Sequence, residues 1–576
     1  MDFMKKKTAA VVYDAITSLG FGDATDIGQV TDMLEYPPSP ENGDLAFPCF
    51  RLSKVMRKAP PMIANELKEK LQVGGAISHF ETVGGYLNFF FDKSEFAKML
   101  LGEMLEKGER YGSSDEGAGK TVVLDYSSPN VAKPFHIGHL GTTVIGHSLK
   151  NIHEFSGYKC VGVNHLGDWG TQFGKLIVAY RNWGDRDTIV NGGIDELVKL
   201  YVRFHAEAEK DPSLDDLARA EFTKLENGDG ENRELWKWFI DISLTEYKKT
   251  YAQLGIEFDS YCGESFYYDK LPAVLDTMKE RGILTVDDGA TMIDLEKYGM
   301  PPCLILKSDG STLYAARDIA AALYRKNTYN FSKCIYVTDA GQSLHFKQWF
   351  KVISLMGYDF EPELVHVPYG KVSIGGAKLA TRTGNVVLLK ELFKTATEKV
   401  AKITEEKNPD LENKAEVAEA VGVGAIVYNY LSGGRIKNID FTIEDALSFE
   451  GNTGPYAQYT YARTCSILAK AKESGAYGEV KNAEFTITAN EEFELLKTLA
   501  LFPEKVKAAL DGYEPSVITR YIFDVATAFN HFYHGCQVLN NEDSNVSATR
   551  IALTEATGNV MKSAFGLICM KAPKKI

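Results

Sequence analysis

The stretch TVVLDYSSPNVAKPFHIGHLGTTVIGHSLK, Thr121 to Lys150, decides the fold of this chain. It opens with a short β-rich run and continues through a turn-rich segment that contains two prolines. From His136 onward, the spacing and the residue types suit a helix. The predicted order is therefore strand, loop, helix.

Two histidines open the predicted helix. His136 and His139 are three residues apart, so both rings fall on one face of the first turn, where unpaired backbone N–H groups and the helix dipole favour an anion. Gly138 leaves room for a flat ring such as adenine against the backbone, and Lys133 adds a positive charge upstream. The pattern predicts a phosphate site, although a pair of structural histidines would explain an isolated HxxH as well.

Beyond this stretch, β-rich runs alternate with helical patterns at 160–167, 303–307, 334–340 and 364–370. Such alternation predicts a parallel sheet. A charged, mostly helical segment from about 176 to 260 interrupts the pattern, so we expect it to split the sheet into two halves. The prediction is a core domain over 113–375 with a helical insertion.

The rest of the chain divides into three more parts. Residues 1–112 place helices around an alternating run and end in a glycine-rich, charged linker, which predicts a small α/β domain. Residues 376–450 form a loop followed by helices, and 451–576 are almost entirely helical, as in a helix bundle. The predicted fold class is multidomain α/β, with a parallel-sheet core, a small N-terminal α/β domain and a C-terminal all-α bundle.

The loop GGAKLATRTGN, at 375–385, carries a second charged pattern. Glycines precede Lys378, and Arg382 follows four residues later, so the loop would close positive charge over a phosphate. Alone, a glycine–lysine loop is weak evidence for such a site.

The composition excludes several classes of protein. No stretch of about 20 residues lacks charge, so we expect no membrane span. The eight cysteines are scattered without a CxxC pair, which argues against a disulfide framework and a zinc–cysteine site and favours a reducing cytoplasm. The segment HFYHGC, at 531–536, is aromatic and helix-like, so no structural metal is predicted. A net charge of −14 argues against unspecific nucleic-acid binding over the whole surface but leaves room for RNA on local basic patches, and no DNA partner is predicted.

Taken in order, the motifs resemble those of one enzyme family. His136-Ile137-Gly138-His139 resembles the HIGH signature of class I aminoacyl-tRNA synthetases, and Lys378-Leu379-Ala380-Thr381 stands where their KMSK loop is expected, about 240 residues downstream. Over nearly the whole chain, the following stretches resemble arginyl-tRNA synthetases: SSPNVAKPFHIGHL (127–140), NHLGDWGTQFG (164–174), YAARDIA (314–320), TDAGQSLHF (338–346) and EGNTGPYAQYTYAR (450–463). The resemblance implies a Rossmann-like catalytic core and an arginine–tRNA ligase.

The arginine site that this resemblance implies can be compared with the needs of the substrate. A guanidinium is always charged and planar, so a site that buries it needs carboxylates and a flat partner. Tyr314 and Asp318 are four apart on a predicted helix and therefore on one face. The resemblance makes Asp318 and Tyr314 the guanidinium partners, Asp125 a second carboxylate, and assigns the remaining contacts to Ser127, Asn130 and Gln342.

The resemblance also implies the reaction and its partners. Arginine attacks the α-phosphate of ATP, bound with Mg²⁺, and pyrophosphate leaves; a ribose hydroxyl of the terminal adenosine of tRNA(Arg) then takes the arginine, and AMP leaves. His136, His139, Lys133, Lys378 and Arg382 would stabilise the phosphate charge. Thr381 replaces the fourth lysine of KMSK, and Lys133 is expected to supply the missing charge.

The C-terminal bundle resembles the anticodon-binding domain of the family. Tyr456, Tyr459 and Arg463 are spaced for one helix face, where stacking and a guanidinium suit unpaired anticodon bases. A helical aromatic stripe in a protein core is the alternative. The N-terminal domain is expected to touch the tRNA elbow, arginine activation to need tRNA, and the protein to be a monomer.

Three other functions stay open at this point. One is a synthetase for another amino acid, and Tyr314 with Asp318 and Asp125 argues against it, because a neutral substrate would leave those carboxylates unpaired. A catalytically silent RNA-binding paralogue would not need the intact HIGH-like motif. A small-molecule nucleotidyltransferase would need neither the N-terminal domain nor the helical C-terminus.

Overall fold

The computed structural model describes residues 1–72, 74–374, 377–378 and 387–576. Its N-terminal part packs helices against an antiparallel sheet in the order β1-β3-β2, in which Gly84 and Gly85 separate the last two strands. The elements of this part are α1 (Asp2–Ser18), α2 (Ile27–Met33), β1 (Leu45–Pro48), α3 (Ser53–Met56), α4 (Pro60–Lys70), β2 (Ile77–Val83), β3 (Tyr86–Phe91) and α5 (Lys93–Lys107). The mixed α/β character predicted for the N-terminus is confirmed.

The central part alternates strands and helices. Its elements are β4 (Thr121–Asp125), α6 (Ile137–Phe155), β5 (Lys159–Val163), α7 (Thr171–Trp183), α8 (Arg186–Gly192), α9 (Ile194–Ala208), α10 (Ser213–Glu226), α11 (Gly230–Leu254), α12 (Leu271–Glu280), β6 (Thr285–Asp287), β7 (Ala290–Ile293), β8 (Cys303–Leu306), α13 (Tyr314–Tyr329), β9 (Lys333–Asp339), α14 (Ser343–Leu355), β10 (Leu364–Tyr369), β11 (Val372–Ile374) and β12 (Ala377–Lys378). The strand, loop and helix predicted from the opening stretch are β4, residues 126–136 and α6.

A parallel sheet in the order β10-β9-β4-β5 organises this central part. The chain begins in β4, moves to β5 on one side, and later returns to β9 on the other side. In open α/β sheets, ligands bind outside the carboxyl ends of the strands where the order reverses. That point lies between β4, which ends at Asp125, and β9, which ends at Asp339.

The strands predicted at 160–167, 334–340 and 364–370 belong to this parallel sheet as β5, β9 and β10. The prediction for 303–307 is wrong, because β8 lies in a separate antiparallel sheet with the order β6-β7-β8. In β8, Cys303 and Ile305 are buried whereas Leu304 is 49% exposed. Alternation of this kind is typical of an antiparallel strand that is covered on one face only.

The predicted helical insertion is confirmed as the run from α7 to α11. Its last helix supports the loop that follows β4. The Tyr247 hydroxyl donates to the carbonyl oxygens of Asn130 at 2.8 Å and Lys133 at 2.7 Å. The Tyr251 hydroxyl lies 2.8 Å from Ser127 Oγ. The insertion therefore separates the strands of the sheet along the sequence, and in the folded protein its last helix stabilises the loop between β4 and α6.

Helices form most of the remaining chain. The elements are α15 (Leu389–Lys407), α16 (Lys414–Ser432), β13 (Ile439–Phe441), α17 (Ile443–Ala446), α18 (Gly454–Glu473), α19 (Asn490–Ala500), α20 (Phe502–Gly512), α21 (Ser516–Gly535) and α22 (Ser544–Leu567). The predicted C-terminal helix bundle is therefore confirmed. Within the described ranges, no helix has the length and apolar character needed to cross a membrane.

Candidate active site

The loop between β4 and α6 has a constrained backbone. Ser127, Ser128 and Ala132 have φ values of 69°, 44° and 58°, in the left-handed region that side chains disfavour. Tertiary hydrogen bonds hold this conformation: the Ser127 N–H donates to Thr142 Oγ1 at 3.0 Å, and the Ala132 N–H donates to Ser243 Oγ at 3.0 Å. Backbone strain of this kind persists where the surroundings over-determine it, and it clusters at functional sites.

His136 and His139 cap the first turn of α6 reciprocally. The Gly138 N–H donates to Nδ1 of His136 at 3.0 Å, and the His136 N–H donates to Nδ1 of His139 at 3.2 Å. The centres of the two rings are 3.9 Å apart. Because a backbone N–H can only donate, both Nδ1 atoms are acceptors and both protons sit on Nε2.

This capping corrects one part of the sequence interpretation. The N–H groups expected to be unpaired at the start of α6 are already used, since Ile137 donates to the Val387 carbonyl oxygen at 3.2 Å and His139 to that of His136 at 2.8 Å. Burial, with a smaller effect of Lys133, lowers the pKa of His136 to about 4. Burial lowers the pKa of His139 to about 3. At neutral pH the two rings are therefore uncharged N–H donors.

Of the three cations predicted to bind phosphate, the structure describes the side chain of Lys133 but not those of Lys378 and Arg382. Lys133 is half-buried beside His136, and within the described ranges its ammonium makes no ion pair, so its charge is available to a ligand. The backbone of Lys378 pairs with Ser373 across β12 and β11. The side chain of Lys378 and the residues Thr381 and Arg382 lie outside the described residues. Their predicted roles stay predictions.

A cavity of about 710 Å³ opens at the carboxyl ends of β4 and β9. It is lined by His139 and by every side chain predicted to contact arginine, namely Asp125, Ser127, Asn130, Tyr314, Asp318 and Gln342. Lys133 in the loop before α6, and His136 and Gly138 at the start of α6, are not part of its wall. The fold thus gathers residues from widely separated parts of the chain around one cavity.

Asp318 lies on α13, one turn after Tyr314. Its Oδ2 accepts a hydrogen bond from His345 Nε2 at 2.6 Å. Tyr314, the first residue of α13, is 68% exposed at the cavity mouth. Their shared face confirms the helical spacing predicted from the sequence, and His345 is a partner that the spacing did not reveal.

Asp125 is in the cavity wall, but its carboxylate already forms an ion pair with a buried arginine of the protein. Its Oδ2 is 2.8 Å from Nη2 of Arg325, a side chain that is 1% exposed. Its Oδ1 accepts from the Ser128 hydroxyl at 2.9 Å. Both oxygens of Asp125 therefore have partners within the protein.

Glu264 is a cavity residue that the sequence interpretation missed. Its Oε2 is 3.1 Å from Nη1 of Arg317, so Arg317 pairs with Glu264 and not with its chain neighbour Asp318. Burial raises the pKa of Glu264 to about 7, while Arg317 lowers it and Asp318 raises it. Glu264 lies outside every recognised motif, between the insertion and α12, so only the fold brings it to α13.

The loop that carries Glu264 is tied to the segment after β5. The Ser265 N–H and hydroxyl donate to the two oxygens of Asp168 at 2.8 and 2.6 Å, and the Glu264 N–H donates to the Leu166 carbonyl oxygen at 3.0 Å. Asp168 is 6% exposed. The segment NHLGDWG, at 164–170, therefore holds the loop that places Glu264 in the cavity.

A second polar cluster lies in the C-terminal bundle. Tyr456, Tyr459 and Arg463 share α18, as predicted, and α21 adds Asn530 and Tyr533. Arg463 donates to Asn530 Oδ1 at 2.6 Å, and its guanidinium carbon is 5.2 Å from the ring centre of Tyr459 and 4.7 Å from that of Tyr533. Tyr459 is 47% and Tyr533 39% exposed, so their rings are accessible rather than core.

Comparison with known proteins places this architecture in a family. The catalytic-domain model of the class I (R) tRNA synthetases matches residues 101–443, the DALR anticodon-binding domain matches 457–576, and the N-terminal domain of arginyl-tRNA synthetases matches 6–91.

The relatives agree with these models. The chain is 52% identical over 554 residues to the arginine–tRNA ligase of Alkaliphilus metalliredigens, covering 96% of this chain and 97% of that protein. The solved arginyl-tRNA synthetase of Plasmodium falciparum aligns with a TM-score of 0.81 at 26% identity, over 100% of this chain and 99% of that one. The Thermus thermophilus arginyl-tRNA synthetase shares the fold, with a TM-score of 0.80 at 24% identity over 99% and 100% of the two chains. The chain therefore belongs to the arginyl (R) family of class I tRNA synthetases.

Proposed function

We propose that the cavity at the carboxyl ends of β4 and β9 is where this chain, an arginine–tRNA ligase of class I, binds and activates arginine. The observation that carries the assignment is the pair of acidic side chains, Glu264 and Asp318, in one cavity wall. A guanidinium offers a planar set of donors and a charge that suit two carboxylates, whereas a neutral side chain would add no cation to this acidic cavity.

The guanidinium lies between Asp318 and Glu264 in this proposal, and the Tyr314 ring closes over it from the cavity mouth. Gln342 and Asn130, both exposed at the edge of the cavity, face the α-amino and carboxylate ends of the substrate. Asp125 and Ser127 form the polar floor of the cavity. Because Asp125 already forms an ion pair with Arg325, it contributes less to binding the substrate guanidinium than the sequence suggested.

ATP, as its Mg²⁺ complex, binds at the start of α6 with its adenine against Gly138. Because the rings of His136 and His139 are neutral there, they act as Nε2–H donors to phosphate oxygens, and Lys133 supplies a fixed positive charge. Lys378 and Arg382 are proposed to add charge from the loop. Positioning and electrostatics carry both steps of the reaction, so no side-chain nucleophile is required.

The tRNA contacts follow from the second cluster. Tyr459, with Tyr533 and Arg463, offers exposed rings and a guanidinium for unpaired anticodon bases, while Tyr456 accepts from Asn530 Nδ2 at 2.8 Å and supports them. The proposal also includes domain boundaries at residues 112, 375 and 450, and a contact between residues 1–112 and the tRNA elbow. In addition, we propose that arginine activation depends on tRNA, that the protein is a monomer and that it is located in the cytoplasm.

Two substitutions in the acidic pair test the arginine site. Asp318→Asn and Glu264→Gln each remove a charged partner of the guanidinium, a loss of about 2–5 kcal/mol that corresponds to an increase in KM for arginine of roughly 30-fold or more. The KM for ATP should stay within about twofold, because the ATP groups lie on α6. Asp276→Asn, a control at an exposed position of α12, should change neither constant. An unchanged KM for arginine in both cavity variants would refute the assignment.

A further inference from the structure

Arg317 brings a guanidinium of the protein itself into the arginine cavity. It lies on the same helical face as Tyr314 and Asp318, and it lines the cavity together with Glu264. Its Nη1 donates to Glu264 Oε2 at 3.1 Å, and its Nη2 donates to the Thr312 carbonyl oxygen at 3.4 Å. The side chains of Arg317 and Glu264 are 24% and 19% exposed.

The pairing engages only one side of the Glu264 carboxylate. Arginine and carboxylate groups commonly form two parallel hydrogen bonds. Here a single oxygen, Oε2, receives Arg317, and no described residue donates to Oε1. Nε of Arg317 is likewise buried without a partner in the part of the chain that the structure describes. Glu264 therefore keeps one acceptor oxygen for a second guanidinium.

We propose that Arg317 is a positioning residue for arginine specificity: it orients Glu264 and favours its charged form, with one carboxylate oxygen left for the substrate. The inference rests on the proposed arginine site, because it requires Glu264 to contact the substrate guanidinium. Arg317 itself does not need to touch arginine. The substrate thus meets a carboxylate that is already oriented and whose charged form is favoured by a resident cation.

The charges around Glu264 explain why a resident cation is needed. Burial disfavours the carboxylate form, and the negative charges of Asp318 on α13 and Asp168 after β5 disfavour it further. Arg317 opposes all three effects, and the resulting pKa of Glu264 is about 7. Without Arg317, the pKa of Glu264 would rise, and the side chain would be a neutral acid at neutral pH, unable to form an ion pair with the substrate.

The cavity charges favour a cationic ligand. Four carboxylates line the cavity, those of Asp125, Glu264, Asp318 and Asp339, while Arg317 and Arg325 contribute two guanidinium groups. Asp318 is paired only with the imidazole of His345, within the described residues. The guanidinium of arginine would offset part of the remaining negative charge.

The test compares the pH dependence of KM for arginine in the full-length enzyme, in tRNA charging assays from pH 6 to 8.5. Arg317→Gln keeps donors at this position but removes the charge, and Arg317→Lys restores it. Arg181→Gln is the matched control, because it breaks the Arg181–Glu221 pair, at 2.7 Å, outside the cavity.

For Arg317→Gln, we expect KM for arginine at pH 7 to rise about fivefold for the first unit by which the pKa of Glu264 increases and about tenfold for each further unit, and to recover toward the wild-type value at pH 8.5. The kcat and the KM for ATP should change by less than about threefold. Arg317→Lys should restore most of the wild-type pH profile. A KM that is unchanged, or raised equally at every pH, or not rescued by lysine, would overturn the inference.

Two further results separate this inference from the proposed site. If Glu264→Gln leaves KM for arginine unchanged, the proposed contact fails and the inference fails with it. If Glu264→Gln raises KM but Arg317→Gln does not, the site stands and only the role of Arg317 is refuted. Should Arg317→Gln fail to fold, Arg317→Lys still decides: a KM profile close to that of the wild type supports a role for the charge, and a KM for arginine that is raised equally at every pH refutes it.

Discussion

Replacing Arg325 with methionine would remove one partner of the buried ion pair beneath the cavity. The side chains of Arg325 and Asp125 are 1% and 13% exposed, and their contact is 2.8 Å. Removing one partner of such a pair costs about 3–5 kcal/mol, because the other charge is left buried and unpaired. We expect the lower end, about 3 kcal/mol, since Asp125 keeps its hydrogen bond from Ser128 and borders the cavity.

Urea unfolding followed by tryptophan fluorescence measures this loss. Trp349 is fully buried in the same hydrophobic cluster as Cys334 and Tyr336, and it is one of the five tryptophans whose combined emission follows unfolding. The double variant Arg325→Met with Asp125→Asn removes both charges and should recover more than half of the lost free energy of unfolding. Arg219→Met, in an exposed pair on α10, is the control and should change the midpoint little.

The reasoning would be refuted by either of two results. One is a loss below about 1 kcal/mol for Arg325→Met, which is the size typical of exposed pairs. The other is strict additivity in the double variant, which would show that Arg325 and Asp125 are not coupled. In both cases Asp125 would keep its full charge for the substrate, as the sequence alone suggested.

Four further predictions concern the phosphate and tRNA contacts. Lys133→Ala should lower the rate of arginine activation by at least about 100-fold with little effect on the unfolding midpoint, and a mild effect would mean that Lys378 or Arg382 suffices. The KM for ATP should stay within about twofold between pH 6 and 8, because His136 and His139 are neutral throughout. Since both pKa values are lowered on folding, stability should instead fall as pH drops from about 6.5 toward 4, and His139→Gln should weaken that fall. Tyr459→Ala should raise KM for tRNA about tenfold and leave KM for arginine unchanged; equal KM values for tRNA would contradict the stacking role.

Local patterns predicted those parts of the site whose geometry is local. The spacing of His136 and His139, and that of Tyr314 and Asp318, is set by a single helix each, so sequence separation translates directly into shared faces. The strand that ends at Asp125 follows from a β-rich run before a turn.

The remaining features depend on pairing between distant segments. Arg325 pairs with Asp125, which lies 200 residues earlier in the chain. Arg317 pairs with Glu264 rather than with its neighbour Asp318, and this pairing depends on the packing of α13 against the loop that carries Glu264. The same holds for Tyr533 of α21, which completes the cluster around Arg463. The run at 303–307 is correctly predicted as a strand but assigned to the wrong sheet, because a β-rich segment does not specify which sheet it joins.

ATP-dependent attachment of each of the twenty amino acids to total tRNA tests the central claim most directly. The purified protein should charge tRNA with arginine alone, and arginine-dependent pyrophosphate exchange should require tRNA. Charging with a different amino acid would contradict the assignment of Asp318, Glu264 and Tyr314. No charging at all, from a protein that is folded and binds tRNA, would contradict the ligase function and favour a silent RNA-binding role.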